Sequence, residues 1–346
     1  MARIASLDNR PLDALNDNGN RKNLRFIDLF CGIGGFHFAM KAACTARNIQ
    51  SECVFSSDND ANAQTAYEAN FGARPTGDIT KVAENDVPDH DILLGGFPCQ
   101  AFSIIGDRKG FEDARGTLFF DIARILEAKK PKAFILENVK HLRSHDKGRT
   151  LERIMETLKN LNYHAQFKVL NALNFGVPQK RERVFIVGFK ENHPFTYPHG
   201  GVKMKPLSEI LEKNVPEYYW ASEKIKLKRL EKRAHKSKFD GPTIWHENKG
   251  GNISAYPYSC ALRAGASYNY LLVNGERRMT EREMLRIQGF PESYKIVGDY
   301  AATRKQAGNS VAVPCVTAVI GAALDALEKA PLPIHKTAVQ PAFEFA

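Results

Sequence analysis

Between about residues 26 and 190 the chain alternates short runs of β-branched and other apolar residues with segments whose apolar positions recur every three or four residues. The short runs predict strands at 26–30, 53–57, 91–97, 133–137, 166–170 and 183–189. Leu118, Ile122, Ile125 and Leu126 share one helical face, and Lys129-Lys130-Pro131 supplies the stop. Leu151, Ile154, Met155, Leu158 and Leu161 form a second such face. Strands alternating with helices predict an α/β fold, Rossmann-like, around a mixed but mostly parallel sheet.

From about His193 the alternation gives way to prolines, glycines, aromatics and a basic run: Lys224, Lys226, Lys228, Arg229, Lys232, Arg233, Lys236 and Lys238. This predicts a second, smaller domain over 193–302. Helical patterning returns after Thr303 and runs from Val311 to about Lys329, with Pro314 in the first turn where a proline is tolerated. The expected organisation is a polar segment at 1–22, one domain from 23–192 and 303–330, the smaller domain between, and a structureless tail at 331–346.

Apolar side chains make up 43% of the 346 residues, enough for one large core with a smaller lobe. No run of about 18 uninterrupted apolar residues is present, and the first 22 residues hold no apolar stretch, so neither membrane insertion nor secretion is expected. Cys31, Cys44, Cys53, Cys99, Cys260 and Cys315 show no paired spacing, which points away from zinc and disulfides and towards reduced thiols in a cytosol. Lys and Arg outnumber Asp and Glu by 49 to 39, a formal charge of +10 that favours a polyanionic partner.

Two groups of residues gather where strands end. The first strand runs into Cys31-Gly32-Ile33-Gly34-Gly35-Phe36, a glycine-rich turn opening a helix at the ligand-binding end of such sheets. It lacks the last glycine of the dinucleotide fingerprint and the lysine of a phosphate loop. Asp58, ending the second strand, is placed to accept hydrogen bonds from a ribose diol. Asp60 reads as the cap of the next helix, while Asp78-Ile79 reads equally as a turn or as an adenine contact. The second group comprises Cys99, just past a strand in Gly96-Phe97-Pro98-Cys99-Gln100, Glu137-Asn138-Val139 at another strand end, and the charged cluster Gln179-Lys180-Arg181-Glu182-Arg183. A loop cysteine beside a carboxylate and an arginine suits covalent catalysis, whereas an inert thiol and a salt-bridged turn explain the same residues structurally.

Together with Asp28-Leu29-Phe30 and Gln306-Ala307-Gly308-Asn309-Ser310-Val311, these motifs resemble the DNA cytosine-5 methyltransferase family of bacterial restriction-modification systems, in the family's own order. The likeness spans about residues 24 to 327 apart from the middle of the second domain. Arg278-Met279-Thr280, Arg282-Glu283 and Gln288-Gly289-Phe290-Pro291 resemble the motif that follows the family's recognition region.

The resemblance implies that S-adenosyl-L-methionine is the methyl donor, that no metal is used, and that Cys99 adds to carbon 6 of a cytosine flipped out of double-stranded DNA. It implies Glu137 at ring nitrogen 3, Arg183 at the carbonyl oxygen, and Phe30, Gly32, Gly34, Asp58, Asp78, Ile79 and Asn309 around the donor. The segment from Gln100 to Gly116 would close over the DNA, with Gln100, Ser103, Arg115 and Arg181 as DNA contacts. A monomer is expected, with a cognate endonuclease as a separate partner. Two positions depart from the family: Asn59 stands where many relatives carry an aromatic, and Ala261-Leu262 replaces a Thr-Leu pair. Trp220, Trp245, Tyr256, Tyr258, Arg263, Tyr268 and Tyr270 are candidates for reading base edges, with membership of the lobe's core as the plainer role. The alternatives are an RNA cytosine methyltransferase, a silent DNA-binding relative and a nicotinamide oxidoreductase, the last leaving the Pro-Cys-Gln and Gln-Lys-Arg-Glu-Arg motifs unexplained.

Overall fold

A computed structural model describes residues 23–98, 118–232 and 239–333. The polar segment 1–22, most of the tail, and Cys99, Gln100, Ser103 and Arg115 lie outside the described residues.

The apolar runs become six strands: β1 (Leu24–Leu29), β2 (Ser51–Ser57), β3 (Ile92–Gly95), β4 (Ala133–Val139), β5 (His164–Asn171) and, after the two-residue β6 (Gln179–Lys180), β7 (Glu182–Phe189). All but β6 form one sheet in the order β2-β1-β3-β4-β7-β5. The strands β1 to β4 are parallel, and β1, β3 and β4 are buried along almost their whole length, as strands covered on both faces must be. β7 runs antiparallel to both β4 and β5. This reversal pairs Arg183 with Val139, so the entrance of β7 lies on the rim where β4 leaves the sheet.

Helices α1 (Gly35–Thr45), α2 (Ala61–Phe71), α3 (Leu118–Lys129) and α4 (Arg149–Asn160) link the strands. Two of their boundaries fall where the sequence places them. Asp60 caps α2 by accepting from the backbone N–H groups of Asn62 and Ala63, and α3 stops at Lys129 before Lys130 turns left-handed. Two apolar cores, one on each face of the sheet, take up the buried faces of these helices.

The remaining chain adds α5 (Leu207–Ile210), α6 (Glu223–Lys232), β8 (Ile244–Glu247), β9 (Ile253–Tyr256), β10 (Ser259–Cys260), β11 (Leu271–Val273) and α7 (Glu281–Gln288). β11, β8 and β9 make a small antiparallel sheet, and Ile244, Leu262, Tyr270, Leu271 and Met284 share a third core. Phe195, Tyr197, Leu285, Phe290 and Tyr294 instead join the first core, so residues assigned by sequence to the smaller lobe also build the larger one. In α7, Thr280 and Glu283 form a reciprocal capping box, and Arg277 holds the Glu283 carboxylate with two bonds of 2.8 Å.

The last helical stretch is two helices. α8 (Tyr300–Asn309) precedes the expected one, and α9 (Val313–Leu327) carries Pro314 in its first turn. α8 had little periodicity to betray it, since its polar Thr303, Arg304 and Gln306 are buried, with Arg304 donating to the carbonyls of Ala266 and Ser267. Residues 300–327 together are apolar and long enough to cross a bilayer, but the break at 310–312 divides them and α9 is buried in the first core.

Candidate functional site

The parallel register aligns the ends of four strands. Leu29 lies beside Ser57 and Gly95, and Gly95 beside Leu136. Their outgoing loops surround a cleft of about 500 Å³ that α8 closes from the far side with Lys305, Gln306, Gly308 and Asn309. That volume is in the range of small-molecule sites.

One end of the cleft is built from β1 and β2. Phe30 turns left-handed with φ 55°, an uncommon conformation for a bulky residue and a mark of backbone held for a purpose. Gly32 follows at φ 53° with open space where a Cβ would project. The Asp58 carboxylate accepts from the N–H groups of Gly32 and Asp60 at 2.8 and 2.9 Å, and its pKa is raised because burial outweighs these bonds. Phe30, Gly32, Asp58, Asp78, Ile79 and Asn309 all line the cleft. Gly34 is set behind it as the left-handed N-cap of α1, where a Cβ would strike the Phe71 ring. Asp78 caps a short turn through Thr80 and also lines the cleft. Asn59 is exposed at the mouth, where Lys305 of α8 reaches Asp60 at 2.6 Å.

The other end holds Glu137 and Arg183, joined at 2.9 Å between Oε1 and Nε. Phe97 and Pro98 complete the wall, and the next residue is Cys99. Asn138, 2% exposed, donates from Nδ2 to the Phe97 carbonyl at 2.9 Å and accepts from the Val139 N–H at 2.8 Å. The middle residue of Glu137-Asn138-Val139 therefore clamps the segment that leads to Cys99, a role the motif's spacing did not disclose.

Arg181, grouped by sequence with the DNA contacts, is among the residues lining the cleft and is held from within the fold. It is 3% exposed, and its guanidinium donates to the carbonyls of Leu262, Gly308 and Ser310. Burial and the neighbouring Arg183 push it below the usual arginine range, while three carbonyl acceptors stabilise the cation. Buried Gln179 extends the same joint, donating to the Ile287 carbonyl and the Gln288 amide oxygen and accepting from the Leu262 N–H. Gln288 in turn donates to the Ala307 carbonyl. The backbone of Leu262, half of the departing Ala261-Leu262 pair, is thus fixed to α8 through side chains of the charged cluster.

Among the proposed base readers, Trp245 and Tyr270 are core residues, with Arg263 stacked over Tyr270 at 4.7 Å. Trp220 and Tyr268 are exposed, and Tyr256 and Tyr258 stack on each other at 5.0 Å. No cluster of three or more potential metal ligands occurs among the described residues.

A family model for C-5 cytosine-specific DNA methylases matches residues 24–324. The Type II methyltransferase M.NgoBI of Neisseria gonorrhoeae is 57% identical over 295 residues, 84% of this chain and 90% of that protein. The Type II methyltransferase M.HaeII of Haemophilus aegyptius is 51% identical over 317 residues, covering 91% and 97%. Among solved structures, S. pombe Dnmt2 methyltransferase superposes with a TM-score of 0.67 at 21% identity, over 89% of this chain and 100% of its own, a likeness of fold.

Proposed function

The chain belongs to the C-5 cytosine-specific DNA methylase family and is a DNA cytosine-5 methyltransferase that uses S-adenosyl-L-methionine; from that premise we propose that it acts at one short sequence in duplex DNA, through a covalent bond from Cys99 to a flipped-out cytosine. The observation that carries this reading is the Glu137–Arg183 pair at the cleft end where Phe97 and Pro98 lead to Cys99.

The donor fits the other end of the cleft. Asp58 has the acceptor capacity a ribose diol needs, Ile79 offers an apolar contact to adenine, and the open side of Gly32 admits the amino-acid end. Phe30, Asp78 and Asn309 complete the lining, and Gly34 shapes the turn behind it. When bound, S-adenosyl-L-methionine supplies the methyl group that carbon 5 of the cytosine takes.

The protein's own residues make carbon 5 receptive. The Cys99 thiolate bonds to carbon 6, the electrons of the 5,6 double bond shift into the ring, and Glu137 holds the proton that ring nitrogen 3 takes up. Arg183 donates to the carbonyl oxygen, stabilising charge as it develops. After methylation, loss of the carbon 5 proton to water and expulsion of the thiolate restore the double bond. Carbon 6 is inaccessible inside stacked DNA, so the base must leave the helix first. The segment 193–302 is proposed as the recognition lobe, and a monomer beside a separately acting endonuclease as the working form.

The test is base-resolution mapping of 5-methylcytosine in DNA from a methylation-free bacterial host expressing the intact chain or Cys99→Ser. Marks at one short motif with the intact chain alone support the proposal. Equal marking by Cys99→Ser removes the covalent route, and no marking by folded, donor-binding protein turns the reading towards RNA.

A further inference from the structure

Helix α6 faces the wrong way for an ordinary amphipathic helix. Leu227 and Leu230 are 58% and 57% exposed, while Arg229 is 3% exposed beneath them. Burying a guanidinium in place of an available leucine is costly unless its donors are matched. Those of Arg229 are matched in part. Its Nη2 donates to Glu247 of β8 at 2.9 Å and to the Asn269 carbonyl, whereas Nε and Nη1 are buried without a partner.

Arg229 is also among the residues that line a cavity of about 200 Å³ between α6, β8, β9 and the 267–269 segment. Lys228 and Lys232, one and two turns from Ile225 on the same helix face, line it as well, and neither pairs with an acidic group among the described residues. The Lys232 ammonium lies over the turn between β8 and β9, where a Cβ on Gly251 would be 3.4 Å from Nζ. One carboxylate, Glu247, faces three cations, so the lining carries an excess of positive charge.

We propose that this cavity is a phosphate site, in which Arg229 donates from inside and Lys228 and Lys232 close from the surface. A guanidinium beside two ammonium groups matches the charge and the several acceptor oxygens of a phosphate. Resting on the reading of duplex DNA as substrate, the expected source is a backbone phosphodiester near the target; free inorganic phosphate offers the same chemistry.

The experiment uses the full chain. DNA affinity is measured from 50 to 200 mM KCl for the wild type, for Lys228→Ala/Lys232→Ala, and for Lys224→Ala, which removes a charge from α6 away from the cavity. Every DNA phosphate that the protein no longer neutralises makes the log–log slope shallower by about 0.9, a roughly three- to fourfold smaller fall in affinity across that range. The double variant is expected to be shallower by between about 1 and 2, with Lys224→Ala at the wild-type slope. In parallel, melting is followed with inorganic phosphate added at constant ionic strength to the wild type and Arg229→Met. Stabilisation of the wild type alone, with unchanged DNA slopes, assigns the site to free phosphate. Equal slopes for the double variant and Lys224→Ala, with no phosphate-specific stabilisation, overturn the proposal. A wild type that binds no duplex DNA refutes the substrate reading instead and leaves the phosphate arm to judge the cavity.

Discussion

Asn138 offers a sharp test of how the cleft is held. Its side chain makes two hydrogen bonds in opposite senses, donating to the Phe97 carbonyl in the interior and accepting from the partly buried Val139 N–H. Asn138→Ala strips both and leaves a buried carbonyl and a partly buried N–H unmatched, at a cost of about 1–3 kcal/mol for the first and a smaller amount for the second, which water can reach. Asn138→Asp is nearly isosteric and keeps the acceptor for Val139, but turns a carboxylate oxygen onto the Phe97 carbonyl. Repulsion in a low-dielectric site should make it at least as damaging near neutral pH. The introduced carboxyl regains a donor when protonated, so its folded-state pKa lies above the ordinary value of about 4. By linkage, Asn138→Asp is closest to wild type below about pH 4 and loses stability as pH rises through its folded pKa, relative to wild type measured beside it. Urea unfolding across pH gives the stability difference, and single-turnover methyl transfer with a duplex oligonucleotide gives the functional one. Freed from the clamp, the segment leading to Cys99 shifts, and a displacement of about 1 Å near a reacting group costs on the order of a hundredfold in rate. DNA affinity should change far less. Both variants within about 0.5 kcal/mol of wild type, with rates within twofold, would refute the clamp.

Gly308→Ala places a Cβ 2.5 Å from the Ala264 backbone nitrogen, so α8 or the 263–264 segment must move; a loss of about 1–3 kcal/mol in urea unfolding is expected, with weaker donor binding because Asn309 moves too. Arg183→Lys keeps the charge but replaces the planar donor that meets Glu137, and should lower the single-turnover rate at least tenfold while the melting temperature stays within a few degrees. Since burial raises the Asp58 pKa and a ribose diol needs the ionised form, donor affinity should weaken as pH falls through a value above the usual range of about 4. Calorimetric titration from pH 5 to 8 checks this: a weakening in wild type that persists unchanged in Asp58→Asn would assign it to another group.

Much of this protein was legible along the chain because the relevant physics is local. Apolar runs and three-to-four spacings located the six sheet strands within a few residues and marked α3, α4 and α9. Asp60 capped α2 as its position implied, and the glycines after β1 announced a turn because their backbone angles are barred to most other residues. Motif residues such as Glu137, Arg183 and Asn309 could be named before their surroundings were known. What spacing could not carry was direction and partnership across long separations. The antiparallel insertion of β7 brings Arg183 to the rim beside Glu137, and a strand's sequence does not state which way its neighbours run. Arg181 looked like a surface cation and became a buried strut, just as Arg229 looked like one charge in a basic run and turned inward past two leucines. In both cases burial depends on carbonyls and carboxylates supplied by residues 18 to 129 positions away, and such acceptors come into range only when the chain has packed.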